Sequence, residues 1–118
     1  MFVTIKLNSS LPLGSAVQYD TSAQAYISAS SNTYPLGVII RAAQQDSETQ
    51  VWTARACFGG TCYALAHADI PDEGGALSVV SGGVQVSSAS DNHSGVISPL
   101  SFGDPSRKAG NLVMVHLR

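Results

Sequence analysis

The chain has 118 residues, of which only 12% are charged, and a formal charge of −2. Its six cationic residues (Lys6, Arg41, Arg55, Arg107, Lys108 and Arg118) are scattered, which argues against nucleic acid, since that partner needs clustered cations to displace counterions. No apolar run approaches the roughly 20 residues of a membrane-spanning helix, and a single domain of this length buries roughly two thirds of its unfolded surface without help from a metal.

In chain order the expected elements are all strands. Val3, Ile5 and Leu7 alternate with Thr4 and Lys6 at the N-terminus, a segment with neither the basic leader nor the long apolar stretch of a signal peptide. The expected compartment is the cytoplasm. Val17 and Tyr19 alternate with Ala16 and Gln18; Val38, Ile40 and Ala42 alternate with Ile39 and Arg41. Trp52, Ala54, Ala56 and Phe58 share one face, opposite Val51, Thr53, Arg55 and Cys57. The best helical stretch, Ala64 to Asp69, is too short and lacks caps. Val84 and Val86, then Val113, Val115 and Leu117, complete the alternating segments. Gly59-Gly60, Gly74-Gly75, Gly82-Gly83 and Asp104-Pro105 supply turns. Period two with turns every eight to twelve residues predicts an all-β fold, a small single-domain β-sandwich or barrel of jelly-roll-like type.

The chain also repeats itself. Leu13-Gly14-Ser15-Ala16-Val17, the Ser-rich stretch to Asn32, Leu36-Gly37-Val38-Ile39 and Gln50-Val51-Trp52 form a first pass. Gly74-Gly75-Ala76-Leu77, Ser87 to Asn92, Ser94-Gly95-Val96-Ile97 and Asn111 to Val115 form a second. Val38 and Val96 lie 58 residues apart, Gly14 and Gly74 60. Two copies are too few for a solenoid, so two halves of one β-domain are expected. The organisation predicted is a strand or arm over 1–12 outside the repeat, then a β-domain over 13–118 with halves 13–57 and 74–117. A hairpin and loop over 57–73 joins them.

Few residues point to chemistry. Cys57-Phe58-Gly59-Gly60-Thr61-Cys62 predicts a two-residue hairpin turn with Phe58 opposite Thr61 and Cys57 opposite Cys62. A Cys57–Cys62 disulfide fits that geometry, while a cytoplasmic setting favours free thiols. The spacing matches no common zinc site. His67, His93 and His116 are far apart in sequence, and a Ser94-His93-Asp91 triad lacks the Gly-x-Ser-x-Gly elbow. Asp69 to Gly75 is an acidic stretch without the alternating oxygen ligands of an EF-hand, and reads as a solvated turn between the halves. No catalytic, metal or cofactor-binding residue is assigned. Phe2, Trp52, Phe58, Tyr63 and Phe102 are mostly core aromatics in a domain of this size. Phe58 beside a hairpin tip suits either a contact surface or a hairpin folded back on its own sheet.

On Gly14 to Val17, Leu36 to Ile39, Glu73-Gly74-Gly75-Ala76-Leu77 and Ala109-Gly110-Asn111-Leu112-Val113-Met114-Val115, the chain resembles the small head-decoration, or capsid cement, proteins of tailed bacteriophages. The cysteine segment and the apolar N-terminal strand depart from that pattern. The resemblance implies a non-enzymatic, β-rich, commonly homotrimeric protein, made in the host cytoplasm and mounted on the outer surface of the virion head. There it would bind the major capsid protein and bridge capsomers, with no cofactor, nucleic acid or membrane involved. Phe2, Val3 and Ile5 of the N-terminal strand, with Phe58 and Tyr63 of the predicted hairpin, are the candidate interface. Two other classes compete: a carbohydrate-binding β-module of a phage fibre or adhesin, and a small Ser/His/Asp hydrolase. The first normally shows an exposed aromatic platform, and Trp52 is the lone tryptophan.

Overall fold

Eleven strands order the computed structural model, which describes residues 1–30, 35–87, 94–104 and 106–118. They are β1 (Phe2–Leu7), β2 (Ala16–Asp20), β3 (Ala25–Ser28), β4 (Gly37–Ile39), β5 (Gln44–Gln45) and β6 (Trp52–Phe58). Next come β7 (Gly60–Leu65), β8 (Gly75–Val80), β9 (Gly83–Val86), β10 (Gly95–Ile97) and β11 (Leu112–Leu117). The fold is all-β, and the described residues include no helix. The Ser-rich stretches over 31–32 and 88–92, and Pro105 of the predicted Asp104-Pro105 turn, lie outside the described residues.

The strands close into two rings of the same topology. In the first, β1 pairs with β3 in parallel, β3 with β2, β2 with β4, β4 with β6, and β6 returns to β1, the last four antiparallel. In the second, β7 pairs with β11, β11 with β10, β10 with β8 and β8 with β9. A parallel bridge from Ala66 to Val84 brings β9 back beside the end of β7. The closing contacts correspond: the Asn8 amide donates to Tyr26 O at 3.0 Å, and the His67 amide donates to Val84 O at 2.8 Å. Each ring closes through a single pair, Leu7 with Tyr26 and Ala66 with Val84, so closure shortens the edges that could recruit foreign strands without removing them. The short β5 extends the first ring along β6 and has no counterpart in the second.

The repeat offsets fall on the ladder register. Ala16 faces Val38, and Ala76 faces Val96. Gly14 (φ 86°) and Gly74 (φ 67°) enter these strands through the left-handed region, which a side chain resists. Inside, Ile5, Leu7, Val17, Ile39, Ala54 and Ala56 fill the first ring. Their counterparts Ala64, Ala66, Leu77, Ile97, Val113 and Val115 fill the second. Volume is exchanged across the facing strands. Ile5 opposes Ala54 in the first ring, whereas Ala64 opposes Val113 in the second. A large residue on one strand and a small one on the other keep the interior at close packing either way.

Two expectations about organisation change here. β1 is not outside the repeat: it pairs with β6 of its own chain over six residues and is the counterpart of β7. Gly59-Gly60 is not a hairpin turn, because β6 and β7 belong to different sheets. Both sides of β6 are already taken, by β1 on one and β4 with β5 on the other, which leaves β7 no edge to join. The two glycines (φ 83° and 86°) instead form the corner where the chain leaves one ring for the next. The acidic stretch from Asp69 lies within the second half, between β7 and β8.

The rings pack against each other in a body of 46 × 28 × 23 Å. Backbone bonds stitch them together: Leu65 donates to Gly14 O at 2.8 Å, Ala16 to Gly82 O at 2.8 Å, and Gly82 to Ala29 O at 2.7 Å. The outward row Ala16, Val38 and Cys57 of the first ring is fully buried and belongs to the same cluster as the second ring's interior.

Candidate interaction surface

The corner between the rings gathers the residues singled out in the sequence. Cys57 ends the buried outward row of the first ring, and Cys62 points into the second. Both are free thiols in this structure. Cys57 Sγ donates to Gly59 O at 3.1 Å. Burial first, then the neighbouring Cys57 sulfur by charge and hydrogen bonding, push the Cys62 thiol up to about 12. Such a thiol is protonated and inert at neutral pH, the reverse of a redox-active cysteine.

The candidate interface residues divide. Phe2 (55% exposed) and Tyr63 (46%) lie on the surface. Val3 is half-buried, and Ile5 is a core residue of the first ring. Inward alternation on β1 explains this, since a strand that lines the ring turns every second side chain to the interior. Phe58 is not at an exposed tip: its ring packs over Gly37 and lies 5.5 Å from that of Tyr26. The bare Cα of Gly37 makes room for it, as an added Cβ would meet the ring at 2.5 Å. Trp52 packs half-buried on the same cluster. Phe102, expected in the core, is instead fully exposed.

Phe2 and Tyr63 flank an apolar groove of about 320 Å³ along the seam. The first ring contributes Phe2, Leu13, Ile39 and Ile40; the second contributes Thr61, Cys62, Tyr63 and Leu112. Leu13, Ile40 and Leu112 are the part that sequence reading missed. Their signal was weak, because they come from three segments distant in sequence and only the fold brings them together.

The remaining polar groups are dispersed. His116 is exposed, with Nδ1 2.8 Å from Thr61 Oγ1, and His67 is exposed near β9. His93 and Asp91 lie outside the described residues, and Ser94 is buried. Asp69 accepts from the Ala109 amide at 3.0 Å and from Lys108 Nζ at 3.5 Å, and these partners, the amide foremost, hold its carboxyl below the usual range. Among the described residues no group of three or more His, Cys, Asp or Glu is placed to hold a metal ion. No family model, curated protein or solved structure matches the chain.

Proposed function

We propose that the chain is a decoration protein of a phage capsid, binding the outer surface of the mature head through its major capsid protein and bridging neighbouring capsomers as a homotrimer. The observation that carries this reading is the seam groove, to which both rings contribute and whose flanks leave Phe2, Leu13 and Tyr63 exposed. A contiguous apolar strip on a weakly charged protein suits a macromolecular contact. The resemblance of the Gly-Val strand motifs to the cement proteins supplies the partner.

The mechanism is linkage. A protein that binds only the expanded shell stabilises that shell by its binding free energy, about 2.7 kcal/mol per site at a free concentration a hundredfold above Kd. Summed over many sites this opposes the pressure of packaged DNA. Co-sedimentation tests it: purified protein should pellet with mature capsids and raise their melting temperature, and should ignore unexpanded ones. Protein left in the supernatant with both would end this reading. Trp52 packs on the first ring's core instead of standing on a platform, which takes away the aromatic most suited to a sugar face. Binding on a glycan array would be the result that reopens it.

A further inference from the structure

The loop after β10 presents a hydrophobic knob. Leu100 is anchored by its amide to Asp72 O at 2.7 Å, and the Asp104 amide closes a turn onto Ser101 O at 3.0 Å. Asp104 Oδ2 accepts from the Ser101 amide at 2.6 Å, and Arg107 donates to Ser98 O at 2.6 Å. On this braced turn Phe102 is 110% exposed, as open as in an unfolded chain, with the half-open Leu100 two residues before it. Full exposure of a phenyl ring on an ordered turn is not explained by folding. The foot of the loop stands next to the seam groove, because Asp104 and Arg107 border a depression that also contains Tyr63 and Leu112. Phe102 nevertheless leaves its own groove empty.

We propose that Phe102 of one copy inserts into the seam groove of a second copy of this chain. Size supports the fit: a cavity of roughly 150 Å³ accepts a benzene ring, and this groove, at about 320 Å³, has room for the phenyl and a flanking leucine. Area sets its strength. Phe102, Leu100, Phe2, Leu13 and Tyr63 together expose roughly 500 Å² of apolar surface, below the apolar share of about 670 Å² in the smallest stable interfaces. A single insertion is therefore a weak, concentration-dependent contact. Knob and groove lie side by side, so copies join either head to tail in a closed ring or reciprocally across a two-fold axis, each knob in the other's groove. The contact itself stands on the structure alone; only a ring of three rests on the decoration reading.

Light scattering across a concentration series, with no capsid present, reads the contact directly. The wild-type chain should rise from 12.2 kDa toward a multiple of it, and Phe102→Ala should weaken association by at least ~30-fold, the threshold of an interface hot spot. Circular dichroism should be unchanged in the variant. A photo-reactive p-benzoylphenylalanine at position 102, in a mixture of heavy- and light-isotope protein, should cross-link to peptides carrying Leu13, Ile40 or Tyr63 of the other isotope. A wild-type chain that stays at 12.2 kDa, a Phe102→Ala variant that associates as tightly, or cross-links confined to one copy would each overturn the proposal. Capsid binding by a strict monomer would sink this contact and the homotrimer but spare the capsid as partner. A stable oligomer that ignores capsids would do the reverse.

Discussion

Replacing Phe58 by alanine distinguishes a core aromatic from a surface one. The ring packs on Gly37 and on Tyr26, 5.5 Å away, against the interior of the first ring. Fully buried Phe→Ala changes cost about 3–5 kcal/mol, cavity included. Phe58 keeps part of its surface in water, so about 2–3 kcal/mol is expected. That is a large part of the total, since domains of this size have only about 5–15 kcal/mol. Trp52 packs on the same cluster and reports unfolding by fluorescence. With a urea slope of about 1.5 kcal/mol/M, the midpoint should fall by roughly 1–2 M. Phe58→Leu, which refills most of the space, should cost less than about 1.5 kcal/mol. A midpoint within about 0.3 M of wild type for Phe58→Ala would refute the packing argument and return Phe58 to the contact surface.

Three further outcomes follow from the same geometry. The raised Cys62 thiol contributes stability that is complete below its unfolded value of 9.0 and fades as pH climbs toward about 12. Alkaline melts should therefore steepen in that window, and Cys62→Ala should flatten them. Gly74→Ala should lower the melting temperature by several degrees, because the new Cβ meets the carbonyls of Ile97 and Ser98 at a positive φ. Ile5→Ser should destabilise by about 2–4 kcal/mol in a urea melt while Phe2→Ser stays within about 1 kcal/mol, since both belong to β1 but only Ile5 faces the interior.

Much of the fold was legible because period two survives in strands such as β1 and β11, while in β2 and β4 adjacent residues are buried on both faces and the pattern blurs. The glycines at 14 and 74 carried the repeat, as their backbone demands them in both halves. The place of β1 was hidden by the volume exchange: Val3, Ile5 and Leu7 look nothing like Cys62, Ala64 and Ala66, although the two sets occupy the same positions. Only the facing strands, Ala54 and Ala56 against Val113 and Val115, reveal the compensation. Gly59-Gly60 misled because local turn chemistry is the same for a hairpin and for a corner. Occupancy of both edges of β6 decides between them, and that is a long-range property. The groove was illegible for a related reason, as its walls come from segments distant in sequence.

The duplication makes one further contrast testable. Ala16, Val38 and Cys57 form a row across three strands of the first ring, and Ala76, Val96 and His116 form the matching row of the second. The first row is sealed beneath the neighbouring ring, with Val38 at 0% exposure; the second is open, with Val96 at 37%. Identical side chains at equivalent positions thus stand in opposite environments. Val38→Arg would bury a charge without a partner, at a cost of several kcal/mol that rivals the stability of the whole domain. Val96→Arg should shift stability by no more than about 0.5 kcal/mol. Chemical denaturation of the two variants side by side measures the difference. Equal losses would mean that the rows are equally covered and that the rings are not joined as described. The expected asymmetry would show that the first ring depends on the second to cover its outer face, so the first half is not an independent domain. Duplication here yields one cooperative unit with two unlike ends, a body suited to oriented contacts.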